Sequence, residues 1–75
     1  AVARNNLREL KSRLRRIETE LERQTALKTS LENKFQEQLS TDEIIQTQKE
    51  LNAVAEKIEV LEREWLEIGE QLGEN

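Results

Sequence analysis

Five cations near the start of the chain form the cluster of residues best suited to chemistry in this sequence. The stretch NNLRELKSRLRR, residues 5–16, contains these five cations and one acidic residue, although the whole chain carries a formal net charge of −4. Arginine and lysine at this density neutralise nucleic-acid phosphates, and they also pair with carboxylates of a neighbouring helix. The sequence therefore predicts either a nucleic-acid-binding arm or one half of a ladder of ion pairs. The five residues are Arg8, Lys11, Arg13, Arg15 and Arg16.

The remaining side chains offer little for catalysis. The chain has no His, Cys or Tyr, and its only glycines are Gly69 and Gly73. A nucleophile–base pair, a zinc site and a phosphate-binding loop are therefore excluded. Sixteen carboxylates remain, but on a helical rod they have no pocket that would shift their pKa values for acid–base work or hold Mg²⁺. We predict no enzyme activity, no catalytic or metal-binding residue and no cofactor.

Composition indicates an elongated helical protein. The chain has 75 residues, of which 37% are charged, and it contains no proline and only two aromatic residues, Phe35 and Trp65. Such a composition is typical of a coiled coil, and the length allows one small domain at most. No apolar run approaches the roughly 18 residues of a membrane span, and no signal-peptide segment is present. We therefore expect a cytoplasmic protein with no membrane partner.

Apolar residues in both halves of the sequence recur with the heptad spacing of a coiled coil, at positions a and d. In the first half this stripe is interrupted by polar Gln24 and Lys28, and in the second half by Thr47 at a d position. Both halves are therefore predicted to be helices that pack through one apolar seam. The apolar members are Leu7, Leu10, Leu14, Ile17, Leu21, Leu31 and Phe35, followed by Ile44, Leu51, Val54, Ile58, Leu61, Trp65, Ile68 and Leu72.

The two stripes differ in phase, and the break falls at LSTDE, residues 39–43. Ser40 and Glu43 there have the spacing of a capping box, which starts a new helix. We predict helices over about 7–38 and 41–72, joined by a turn at about 39–41, and a short connection makes them antiparallel neighbours. The fold class is thus all-α, a two-helix antiparallel coiled-coil hairpin. We expect residues 1–75 to be a single domain at the C-terminal end of a longer protein.

Charge favours one alignment of the two helices. It places Leu10 opposite Trp65 and Ile68 opposite Leu7, with opposite charges facing each other beside the seam. An alignment shifted by one heptad would bring glutamates together. The expected ion pairs are Lys11 with Glu62, Arg13 with Glu64, Glu20 with Lys57 and Lys34 with Glu43.

Some arginines of the first helix point away from this seam. Arg8 and Arg15 fall at heptad position b, and Arg16 and Arg23 at c. They form either a solvated face or a phosphate-contacting face that Arg4 extends. No aromatic residue interleaves with them, so binding would be directed to the backbone and tolerant of sequence. The predicted nucleic-acid-binding residues are Arg4, Arg8, Lys11, Arg15, Arg16 and Arg23.

The second helix carries apolar residues outside its seam, with Ile45 and Leu66 at b and Val60 at c. Single exposed apolar residues are ordinary on protein surfaces. The alternative is a docking surface for a neighbouring domain or for a second copy of the hairpin, which would make a homodimer or a purely structural coiled coil. Trp65 belongs to the a/d seam, which predicts core packing for it.

Three stretches of the sequence are characteristic: LRELKSRLRRIETELE in the first helix, LSTDE at the turn and KIEVLEREWLEIGEQL at the end. In these stretches the chain resembles the C-terminal coiled-coil domain of ABC-F ATPases, the Uup type in particular. The resemblance covers essentially the whole chain. It implies a cytoplasmic accessory domain that contacts duplex DNA or the ribosome and has no catalysis of its own. It also implies partner ATPase domains in the same chain, which would hold the ATP sites.

Overall fold

The computed structural model describes the chain from Arg4 to Gly73, with side chains from Asn6 onward. Two helices, α1 (Arg4–Lys34) and α2 (Thr41–Gly73), pack against each other as a rod of 56 × 14 × 14 Å. No strand occurs within this range. The predicted all-α, two-helix antiparallel coiled-coil hairpin is confirmed. Neither helix contains a stretch that is long and apolar enough to cross a membrane.

The core of the rod lies at the heptad d positions of both helices. Seven side chains are buried, and they recur with heptad spacing. Residues at the a positions are only half-buried or exposed, so the seam is centred on d. Two of the seven are polar, and no buried side-chain nitrogen or oxygen of the described residues lacks a hydrogen-bond partner. The buried residues are Leu10, Ile17, Gln24 and Leu31 in α1, and Thr47, Val54 and Ile68 in α2.

The connection between the helices is longer than predicted. α1 begins at Arg4, ahead of the predicted residue 7, and ends at Lys34, before the predicted residue 38. Three turn-type hydrogen bonds follow, beginning with the Phe35 N–H donating to the Glu32 carbonyl at 3.2 Å. These bonds satisfy backbone groups at the end of the helix while the chain reverses direction. The residues between the helices, 35–40, replace the predicted turn at 39–41.

The capping box predicted at the start of α2 is present. The Glu43 N–H donates to Ser40 Oγ at 3.2 Å, and the Ser40 N–H donates to Glu43 Oε1 at 3.1 Å. These reciprocal bonds lower the pKa of the Glu43 carboxyl, and the charge of Lys34 adds to the effect. Because the cap fixes Ser40 outside the helix, α2 begins at Thr41, as the sequence predicted.

The alignment of the helices differs from the one that charge favoured. Ile68 packs in one buried cluster with Leu10 and Ile17, and not opposite Leu7. The Trp65 Nε1–H donates to Glu18 Oε2 at 3.4 Å. Glu18 lies eight residues after Leu10, about 12 Å along a helix, which is too far for a Trp65 placed opposite Leu10. Relative to the predicted alignment, α2 is therefore displaced along α1 towards the connection.

Candidate nucleic-acid interface

Five cations lie within residues 8–16 of α1, a stretch that we call the basic segment. All five side chains are exposed, and none forms an ion pair with another described residue. The segment spans a little over two helical turns, about 12 Å. Its members are Arg8, Lys11, Arg13, Arg15 and Arg16.

Three of the four predicted ion pairs between the helices are absent, one of them the pair of Lys34 with Glu43. Arg13 and Glu64 line the same crevice of about 320 Å³ between the helices, without pairing. Lys11 and Glu62 are both exposed and also unpaired. The basic segment consequently has more unneutralised charge than the sequence indicated.

Arg23, which was also predicted to contact phosphates, differs from the basic segment in having an ion pair. Its guanidinium donates two hydrogen bonds to Glu20, from Nη2 to Oε1 at 2.6 Å and from Nε to Oε2 at 3.1 Å. Glu20 raises the pKa of Arg23 in return. A glutamate three residues before an arginine is a favourable pair on a helix surface, so the E-x-x-R spacing could have revealed it. The charge of Arg23 is thus already compensated within α1.

Glu20 also joins the two helices. The Gln24 Nε2–H donates to its Oε1 at 3.0 Å, and the Lys57 Nζ of α2 lies 3.7 Å from the same oxygen. The contact with Lys57 is the one predicted between these residues. Hydrogen bonds from Arg23 and Gln24, together with the charges of Arg23 and Lys57, lower the pKa of Glu20 to about 2. This cluster separates the basic segment from the remainder of α1.

The outward side of the basic segment is suited to backbone contacts. Arg15 and Arg16 border a shallow depression of about 300 Å³ that also includes Ser12, Thr19 and, at its edge, the carboxylate Glu20. Arg8 lies two helical turns before Arg15, about 10.5 Å along the axis. Such spacing allows separate guanidinium groups to contact separate phosphates. Arg4, which was also predicted to contribute, begins α1, but its side chain lies outside the described residues.

The apolar residues predicted as docking candidates are all exposed, but they lie on different sides of α2. Ile45 and Leu66 follow the a positions Ile44 and Trp65 directly and share one flank with them. Val60, at position c, lies on the other flank. Trp65 occupies the predicted seam position but remains 40% exposed. It is therefore a boundary residue and not a core residue.

No protein-family model, curated protein or solved structure matches the chain. Within residues 4–73, no group of three or more acidic side chains is arranged to hold a metal ion. The basic segment and the side of α2 that carries Ile45 and Leu66 are the two surfaces that could bind a partner.

Proposed function

We propose that the hairpin is a non-catalytic accessory module that binds the phosphate backbone of duplex DNA or ribosomal RNA through the basic segment. One observation supports this proposal above the others. Five exposed cations occur within nine residues without an ion pair to any described residue, although glutamates are abundant on the adjacent helix. Exposed unpaired arginines and lysines at this density favour polyanion binding by releasing counterions.

The binding mode follows from the side chains available. Arg8, Arg15 and Arg16 point outward and contact phosphates, and no aromatic residue is present in α1 to stack on bases. Binding is accordingly insensitive to base sequence. α2 contains nine acidic and three basic residues, so it repels phosphates and restricts binding to the α1 side of the rod.

The resemblance to the ABC-F C-terminal domain gives this binding a place in a larger protein. In that arrangement the hairpin attaches the tandem ATPase domains of the same chain to a nucleic-acid or ribosomal substrate. ATP hydrolysis occurs in those domains and not in the hairpin. A parent sequence without two ATP-binding cassettes would contradict this part of the proposal without affecting the binding proposal.

Binding is tested by fluorescence anisotropy with a labelled DNA duplex and a labelled RNA hairpin at two salt concentrations. Three phosphate contacts predict that affinity for the duplex falls roughly 40-fold between about 50 mM and about 200 mM salt. The triple variant Arg8→Gln, Arg15→Gln, Arg16→Gln should lose this binding. Arg23→Gln is the matched control, because Glu20 already compensates Arg23, and it should bind like the wild type.

Two results would contradict the proposal. The first is absence of binding to either nucleic acid at the lower salt concentration. The second is a triple variant that binds as tightly as the Arg23→Gln control. Circular dichroism of each variant establishes that helicity is retained, since these side chains are exposed and outside the seam.

A further inference from the structure

One flank of α2 carries exposed apolar residues near both of its ends. We call this the apolar flank and define it by Ile44, Ile45, Ile58, Trp65 and Leu66. Leu66 is 58% exposed, Ile45 50% and Trp65 40%, while Ile58 is half-buried between them. Large apolar side chains grouped on one side of a helix at this exposure mark an interaction surface.

The packing of the hairpin leaves room for another helix along this flank. The seam is centred on the d positions, so residues at a lie at its open edge. The neighbouring e positions of α2 are Gln48, Ala55, Glu62 and Gly69, of which Ala55 and Gly69 are small. A Cβ atom added at Gly69 would meet nothing within 4 Å. On the α1 side of the same opening, Leu14 and Leu21 are only half-buried. A helix laid along the opening would therefore contact apolar side chains of both α1 and α2.

The surface area of the rod is large for its mass. It exposes 6009 Å² at 8.8 kDa, whereas a compact monomer of this mass exposes about 4,800 Å². Among the described residues, no side chain is buried beyond 98%. The excess of about 1,200 Å² exceeds the roughly 800 Å² that each partner contributes to a typical stable interface. Association through one flank would thus restore an ordinary ratio of surface to mass.

Charge indicates which partner fits. α1 carries nine basic and five acidic residues, and α2 carries three basic and nine acidic residues. If two hairpins face each other about a twofold axis parallel to the helices, α2 of each copy packs on α1 of the other. Each cationic helix then has two anionic neighbours. A twofold axis perpendicular to the helices would instead place α1 of one copy on α1 of the other. We infer that the apolar flank binds a second copy of this chain, giving an antiparallel four-helix dimer.

Dimerisation and nucleic-acid binding are measured separately. Arg13 and Arg16 occupy positions g and c, on the side of α1 away from the opening, and remain exposed in the dimer, whereas Lys11 at e and Arg8 and Arg15 at b border the opening. The flank variants change α2 and the arginine variants change α1, so loss of dimerisation and loss of nucleic-acid binding are separate results.

The dimer is tested by sedimentation equilibrium of the hairpin from micromolar to millimolar concentration, with tryptophan emission recorded in parallel. Trp65 is the only tryptophan, so its emission should shift to shorter wavelength as the measured mass rises from 8.8 kDa to twice that value. Leu66→Glu and, separately, Ile45→Glu should raise the dimer dissociation constant by at least about tenfold, because each places a charge in the buried interface.

Val60→Glu is the matched control for these variants. Val60 is 44% exposed on α2 and receives the same substitution, but it lies on the other flank, so the dimer should persist. A wild-type hairpin that stays monomeric at millimolar concentration would overturn the inference, as would a Val60→Glu variant that dissociates as readily as Leu66→Glu. Both flank variants remaining dimeric would also overturn it.

Discussion

Glu20 is the residue with the strongest local interactions in the hairpin. It accepts hydrogen bonds from Arg23 and Gln24 and lies beside Lys57, and these contacts lower its pKa from an ordinary value of 4.5 to about 2. A carboxyl whose pKa is lower in the folded state stabilises that state fully above its unfolded pKa. Its contribution is lost as the pH falls from about 4.5 towards 2. The sequence predicted the contact of Glu20 with Lys57, but it did not predict the additional hydrogen bonds from Arg23 and Gln24.

Glu20→Gln should therefore weaken the dependence of stability on pH in acid. We expect the urea midpoint of the variant to lie below that of the wild type at neutral pH, and the difference to shrink between pH 4.5 and 2. The pKa of Glu43 is also lowered, so the stability of both the wild type and the Glu20→Gln variant should still decrease somewhat in acid. Glu22→Gln is the control, because Glu22 is exposed and forms no ion pair. Equal pH profiles for Glu20→Gln and the wild type would refute the role of this carboxylate.

At the scale of the elements, the sequence predicts the start of α2 but not the end of α1. The start of α2 is encoded locally, because Ser40 and Glu43 bond each other across one turn. The end of α1 has no comparable signal. Phe35 continues the apolar periodicity, yet the helix ends at Lys34. The chain must reverse direction before Ser40, and that need arises from packing and not from the local sequence.

Ser40→Ala should destabilise the hairpin by about 0.5–2 kcal/mol, because it removes the hydroxyl that accepts the Glu43 N–H. Urea denaturation followed by circular dichroism measures the loss. Ser30→Ala is the matched control, since Ser30 is exposed within α1, where alanine is the better helix former. The control should be as stable as the wild type or more so. If the two variants are equally stable, Ser40 does not cap α2.

At the scale of the whole molecule, the alignment of the helices determines which charges meet. The contact of Trp65 with Glu18 and the cluster around Ile68 belong to an alignment displaced from the one that surface charge favoured. In this alignment Ile44 is exposed at the start of α2, and Lys11 and Arg13 are unpaired. Arg8, Arg15 and Arg16 point away from the seam in either alignment.

Zero-length coupling with a carbodiimide tests this alignment through Lys11 and Glu62, because the contact of Glu20 with Lys57 belongs to both alignments and serves as the positive control. Lys57 Nζ lies 3.7 Å from Glu20 Oε1, so dilute hairpin should form an isopeptide between them within one chain, detectable by mass spectrometry after digestion. Lys11 and Glu62, which form no ion pair, should couple far less. Lys57→Arg removes the reactive amine and should abolish the first product. Preferential coupling of Lys11 to Glu62 would support the alignment predicted from charge and exclude the observed one.

The sequence by itself determined two helices, their heptad seam and the capped start of α2, because periodicity and capping depend on residues within a few positions of each other. It also identified Arg8, Arg15 and Arg16 as charges that point away from the seam. Only the tertiary structure decided the alignment, and with it the unpaired state of Lys11 and Arg13. A heptad pattern is nearly unchanged by a displacement of the helices, and exposed ion pairs contribute only about 0.2–1 kcal/mol each. In the observed alignment Ile68 packs in one buried cluster with Leu10 and Ile17.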